Sequence, residues 1–194
     1  MPGPNVSTPV TVGPGVTQDQ IGYTFNDVVL NGGTAENMVM SQGGTSGNTG
    51  MSIILAQSAI AASVTGTTAE TALATITIPA NVMGPNGALR IDMQWTVTLN
   101  ADTKTAQVRL GGTSFVIHGL ASVNSLQGQC VIRNRGVTNS QVGTGSMSVA
   151  TTGLPPPTGT IDTTQAQTLT ITATLGTTTD TMTLEGYTVE LLTP

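Results

Sequence analysis

The sequence predicts an all-β protein, an antiparallel β-sandwich or barrel with an extended N-terminal arm. Three observations predict it. Apolar and polar residues alternate strictly in several segments beyond residue 51, the period of a half-buried strand. Glycine and proline, 24 and 10 of them, separate those segments with turn chemistry. The 194-residue chain holds 37 threonines but only 8% charged residues, against roughly 25% in typical soluble domains. Threonine is β-branched, so it packs well on a pleated surface and offers a neutral polar outer face.

In chain order, residues 1–50 differ from the rest. "MPGPNVSTPVTVGPGVTQDQ" has no helical period and reads as extended chain. "IGYTFNDVVL" is a short apolar patch in which Tyr23, Phe25, Val28, Val29 and Leu30 are candidate anchors on a capsid surface. It reads equally as an edge strand of the main domain. "NGGTAENMVMSQGGTSGNTG" follows as loop. The division expected is therefore an anchoring arm over 1–50 and a β-sandwich domain over 51–194. "NMVMSQ" and "LAQSAIAASV" are the only helical candidates, and both are short.

Beyond residue 51, "ETALATITI" places Ala72, Ala74, Ile76 and Ile78 on one side. In "RIDMQWTVTLN" and the leucine before it, Leu89, Ile91, Met93, Trp95, Val97 and Leu99 face the core, with Arg90, Asp92, Gln94, Thr96 and Thr98 opposite. "TLTITATL" sets Leu169, Ile171, Ala173 and Leu175 against three threonines. In "DTMTLEGYTVELL", Met182 and Leu184 share one phase while Tyr187, Val189 and Leu191 take the other. Gly186 lies at the switch, which implies a bulge or a strand covered on both faces. "PANVMGPNG" joins two strands, "NADTK" reads as a tight hairpin link, "LGTTTD" joins the last two strands, and "TTGLPPPTGTID" is a surface loop.

Composition excludes several functions. A net charge of −5 with only five basic residues leaves too few cations to neutralise nucleic-acid phosphates. The longest apolar stretch, "MSIILAQSAIAASV", is too short to span a bilayer. No basic start followed by an apolar run marks a secretory signal, so synthesis in the cytoplasm is expected. One cysteine excludes an intrachain disulfide. Cys130 follows the apolar alternation of "QCVIRN" and reads as a buried small hydrophobe. His118, the only histidine, reads as a hydrogen-bonded structural residue and not as a metal ligand or base. Phosphate-binding loops are absent. A polysaccharide-degrading enzyme would need two carboxylates facing a groove; with 3% aromatics that reading ranks last. No enzyme activity, catalytic residue, metal or cofactor is expected.

All five basic residues fall between positions 90 and 135. Were their stretches adjacent, Arg90, Arg109, Arg133 and Arg135 would form one band able to pair with acids of a neighbouring subunit. They could equally be solvated side chains on an outer face.

Four blocks carry a resemblance: "GTTAETALATITIPANVMGPNGALRI" (66–91), "TLNADTKTAQVRLGGTSF" (98–115), "VIRNRGVTNSQVG" (131–143) and "AQTLTITATLGTTTDTMTLEGYTVELL" (166–192). In series they resemble a β-sandwich module of tailed-bacteriophage virion structural proteins: capsid decoration or cement proteins, head fibres and tail-associated proteins. The resemblance implies a jelly-roll-like sandwich, a place in the virion and homotrimeric assembly. The expectation is a decoration protein made in the host cytoplasm and bound to the outer capsid surface, its partners being itself and the major capsid protein. The alternative is a head-fibre or tail-associated protein that binds a host receptor.

Overall fold

The computed structural model describes residues 52–147 and 155–192. The patch at Tyr23, Phe25, Val28, Val29 and Leu30 and the candidate helix "NMVMSQ" lie outside the described residues. Within them the chain forms β1 (Ser52–Ser58), β2 (Ala62–Thr65), β3 (Thr71–Ile78), β4 (Ala88–Val97), β5 (Lys104–Leu110), β6 (Thr113–Leu120), β7 (Ser125–Asn134), β8 (Gln141–Gly143), β9 (Thr158–Gly159), β10 (Gln167–Thr174) and β11 (Thr181–Leu192).

Two antiparallel sheets make a sandwich. One runs β1-β11-β4-β7-β8-β9, with β2 also paired to β11; the other runs β3-β10-β5-β6. The chain changes sheet between β2 and β3, β3 and β4, β4 and β5, β6 and β7, β9 and β10, and β10 and β11, a jelly-roll-like path. The inner faces meet in one apolar core drawn from both sheets. Leu89, Ile91, Met93, Trp95 and Val97 on β4 face it, as do Leu169, Ile171 and Ala173 on β10 and Leu175 just beyond, none more than 3% exposed. Burial of these side chains is the main favourable contribution to the fold.

Four sequence expectations are corrected. "LAQSAIAASV" is strand and turn, not helix: β1 and β2 pair in succession with β11, and an isolated ten-residue helix could not compete with that ladder. Leu99 is 63% exposed, because β4 ends at Val97 and the chain leaves for the other sheet. For the same reason "NADTK" is not a hairpin link but a crossover from β4 to β5. Ala72 is exposed, because the β3–β10 register jumps between Ala74↔Ile171 and Ala72↔Thr172. The extra residue, Leu73, takes the place against the core. The proline-rich loop also contributes a short strand, β9, paired with β8.

The phase switch in β11 is a bulge. Pairing with β4 skips from Leu184↔Trp95 to Gly186↔Gln94, so Glu185 is extra and both apolar sets, Met182 with Leu184 and Val189 with Leu191, face inward. At the far margin, residues 143–145 cover the open edge of β6: Ile117 N–H donates to Gly145 O at 3.0 Å and Gly145 N–H to Phe115 O at 3.1 Å. Phe115 is wholly buried there. A Cβ on Gly143 would lie 2.8 Å from the Phe115 Cβ, and one on Gly159 2.5 Å from its Cζ, so only glycine admits the ring at both places.

Candidate functional site

Period-two alternation sends every second residue of β4, β7 and β11 outward on the seven-stranded sheet. At the β11 bulge this face opens into a cleft of about 250 Å³, bordered by Asp92, Gln94, Gln127, Glu185, Gly186 and Thr188. Gly186 keeps it open on one side; a Cβ there would lie 2.9 Å from the Ser58 carbonyl oxygen. Asp92 accepts a 2.7 Å hydrogen bond from Gln129 Nε2 and lies 3.7 Å from Arg90 Nε. The cleft therefore offers two amides, a hydroxyl and two carboxylates, a lining suited to hydrogen bonding with a small polar group. Sequence reasoning missed it, although the phase switch around Gly186 had located the bulge that forms it.

The four arginines do not make one band. Arg90 and Arg133 share the outer face of the seven-stranded sheet, where Arg90 pairs with Val131 and Arg133 with Ala88 across β4 and β7. Arg135 follows in the next loop. Arg109 stands on β5 of the other sheet. Adjacent stretches in sequence were separated because the β4–β5 link crosses between sheets.

Two of the four are already paired within the chain. Arg90 Nη2 donates to Glu190 Oε2, which also accepts from Ser52 Oγ at 3.1 Å. Arg109 grips Glu70 in a fork, Nε to Oε1 at 2.7 Å and Nη2 to Oε2 at 2.8 Å, and Thr172 Oγ1 donates to the same carboxylate at 2.6 Å. The Arg109 guanidinium, then the Thr172 hydroxyl, hold the Glu70 carboxyl below its ordinary value. Arg133 and Arg135 are exposed and make no ion pair among the described residues.

A second polar cluster lies inside. Lys104 opens β5 at an inward position, ahead of Ala106, Val108 and Leu110. Its side chain and that of Asp180 are each 1% exposed, with Nζ 3.5 Å from Asp180 Oδ2. Nζ donates to Asn100 Oδ1 and, at 2.7 Å, to the Asp102 carbonyl. Asn100 Nδ2 donates to Asp180 Oδ1 at 2.6 Å. Burial raises the Asp180 carboxyl, but the Asn100 amide, the Lys104 ammonium and the Thr177 hydroxyl together outweigh it and hold the group below its ordinary value. The alternation of "KTAQVRL" was the signal that could have found this lysine, since it sets Lys104 in phase with three apolar residues.

His118 Nδ1 lies 2.9 Å from Ser146 Oγ, and burial holds its imidazole below the ordinary value. Cys130 is buried in the core, where loss of solvation, with the Asp92 charge second, pushes its thiol up to about 12. Near the start of the described chain, Ile53, Ile54 and Ile60 are 46%, 56% and 85% exposed. They lie on or beside β1, at one edge of the seven-stranded sheet. Among the described residues, no group of three or more His, Cys, Asp or Glu is placed to hold a metal ion, and no helix is long and apolar enough to cross a membrane.

No protein-family model matches the chain, and no curated protein matches it. A solved structure of infectious bursal disease virus, Gx strain, is similar over 75% of this chain and 40% of that one, with 13% identity and a TM-score of 0.26. A likeness of that size carries no argument about function.

Proposed function

We propose that this chain is a virion structural protein of a tailed bacteriophage, a capsid decoration protein that binds the outer head surface as a homotrimer. Residues 1–50 would hold it to the major capsid protein, and it would act on no substrate and need no cofactor. One observation carries the reading. The four sequence blocks that resemble the phage virion module supply all of β3, β5, β8, β10 and β11 and parts of β4, β6 and β7. The resemblance is thus spread through both sheets of one sandwich and is not confined to a single motif. The surface agrees with it, since few charges need desolvating where neutral threonine-rich faces pack against a neighbour.

The copy number of the chain per purified virion, relative to the major capsid protein, tests this reading. A decoration protein is expected at a number of the same order; a handful of copies would place it at a tail or a single vertex and overturn the proposal. Deleting residues 1–50 should abolish capsid binding while the sandwich stays folded. A receptor-binding tail or head-fibre protein is the second reading. The polar cleft at the β11 bulge favours it, and such a protein would keep its ligand after the deletion.

Arg133 and Arg135, the two exposed arginines with no ion-pair partner among the described residues, are the remaining candidates for contact with a neighbouring subunit. Replacing both by Ala should weaken oligomerisation or reduce its salt sensitivity, measured by analytical ultracentrifugation at two ionic strengths. An unchanged profile would make them ordinary surface.

A further inference from the structure

At one end of the sandwich a nucleophile and a proton carrier, both buried, lie in contact with a half-buried electrophile. Lys104 Nζ meets the Asn100 carboxamide oxygen. The Asn100 nitrogen donates to Asp180 Oδ1 at 2.6 Å, while Asp180 Oδ2 stands 3.5 Å from Nζ and, though buried, accepts no hydrogen bond among the described residues. One carboxylate therefore touches both the attacking nitrogen and the nitrogen that would leave. We propose that Lys104 and Asn100 become joined by an isopeptide bond in a self-catalysed reaction, with Asp180 carrying the protons.

The steps balance. A proton passes from the Lys104 ammonium to Asp180, leaving a neutral amine and a neutral acid. The amine lone pair attacks Cγ of Asn100 and forms the new C–N bond. Asp180 protonates Nδ2 and accepts a second proton from Nζ. The bond from Cγ to Nδ2 then breaks, and the leaving group takes that last proton and departs as ammonium, returning Asp180 to its carboxylate. No oxidant, metal or cofactor enters.

Three features favour it here. The Asp102 backbone N–H donates to Asn100 Oδ1 at 3.1 Å and polarises the carbonyl that Nζ attacks. Contact geometry replaces a bimolecular encounter. Burial of Lys104 and Asp180 keeps out the water that would compete as nucleophile. The neutral amine–acid form need be only a minor population, because the reaction runs once per chain and the ammonium escapes. Asn100 is the electrophile because its carboxamide oxygen already meets Nζ, whereas the Asp180 carboxyl, whose two oxygens face the two nitrogens, is engaged as the proton carrier. The product closes a small ring across the β4–β5 crossover and removes a buried ammonium from the core.

The test is the intact mass of the denatured full-length protein, followed by tryptic peptide sequencing. The chain is expected to be lighter than its sequence by one ammonia, with Ile91–Arg109 released as a single peptide, uncut after Lys104 and branched between Lys104 and Asn100. Lys104→Arg, which keeps the cation but removes the nucleophile, should restore the full mass, as should Asp180→Asn. Full mass in the wild-type protein after long incubation would overturn the proposal. So would an ammonia loss that persists in Lys104→Arg, since that marks a succinimide at Asn100. Loss of one water with a Lys104–Asp180 branch would overturn Asn100 as the electrophile.

Discussion

Replacing Asp180 with Ala should lower the melting temperature by about 10 °C at neutral pH, relative to wild type at full mass in which Lys104 is still an ammonium. The substitution leaves Lys104 in a site only 1% exposed with two carbonyl oxygens to accept from it and no counter-charge. It also strips Asn100 Nδ2 of its nearer acceptor. An orphaned buried charge costs far more than loss of the pair as a unit. The double variant Lys104→Met, Asp180→Leu should therefore recover most of the loss. Scanning calorimetry of both variants checks this, and a single variant that melts with the wild type would make the pair irrelevant to stability.

The pH dependence has a definite sign. The folded-state Asp180 carboxyl is held below its ordinary 3.8. Its contribution is thus fully present above that ordinary value and is lost as pH falls through the lower folded value. The melting curves of Asp180→Ala and of wild type at full mass, with Lys104 still an ammonium, should converge in acid below about pH 4 and stay apart from pH 5 upward. Glu70, also held low by Arg109 and Thr172, adds a smaller loss in the same acid range, as expected of a pair that is partly exposed to solvent.

Phe115→Ala should destabilise the sandwich by about 3–5 kcal/mol. The ring is wholly buried and is seated against two glycines, Gly143 on β8 and Gly159 on β9. Truncation leaves a void that these backbone segments cannot collapse to fill, because both are held in the β7–β8–β9 ladder. The same phenylalanine carbonyl accepts from Gly145, so the strap over the β6 edge loosens with it. Chemical denaturation should show a lower midpoint at an unchanged slope. Gly159→Ala, whose Cβ would stand 2.5 Å from the Phe115 Cζ, should destabilise from the opposite direction, by overpacking.

Much of the fold was legible in the sequence, because alternation is a local property. The inward sets of β4 and β10, the bulge before Gly186 and the burial of Cys130 all followed from residues within ten positions of one another. The failures also share a cause. Leu99 and Ala72 were misplaced where a strand ended or a bulge shifted the phase, and no local pattern marks either event. Lys104 was given no place in the fold because lysine is rarely buried, although its own strand set it in phase with the core.

The sequence by itself determined an all-β chain with low charge and threonine-covered faces, since period and composition act residue by residue. It also determined which side of most strands is apolar. Only the tertiary structure decided which charges meet. Arg90 finds Glu190 across 100 positions and Arg109 finds Glu70 across 39. Lys104 finds Asp180 because two crossovers, one after β4 and one after β10, end side by side. Charge pairing depends on distance in space and on exclusion of water, and neither exists until the two sheets have closed on each other.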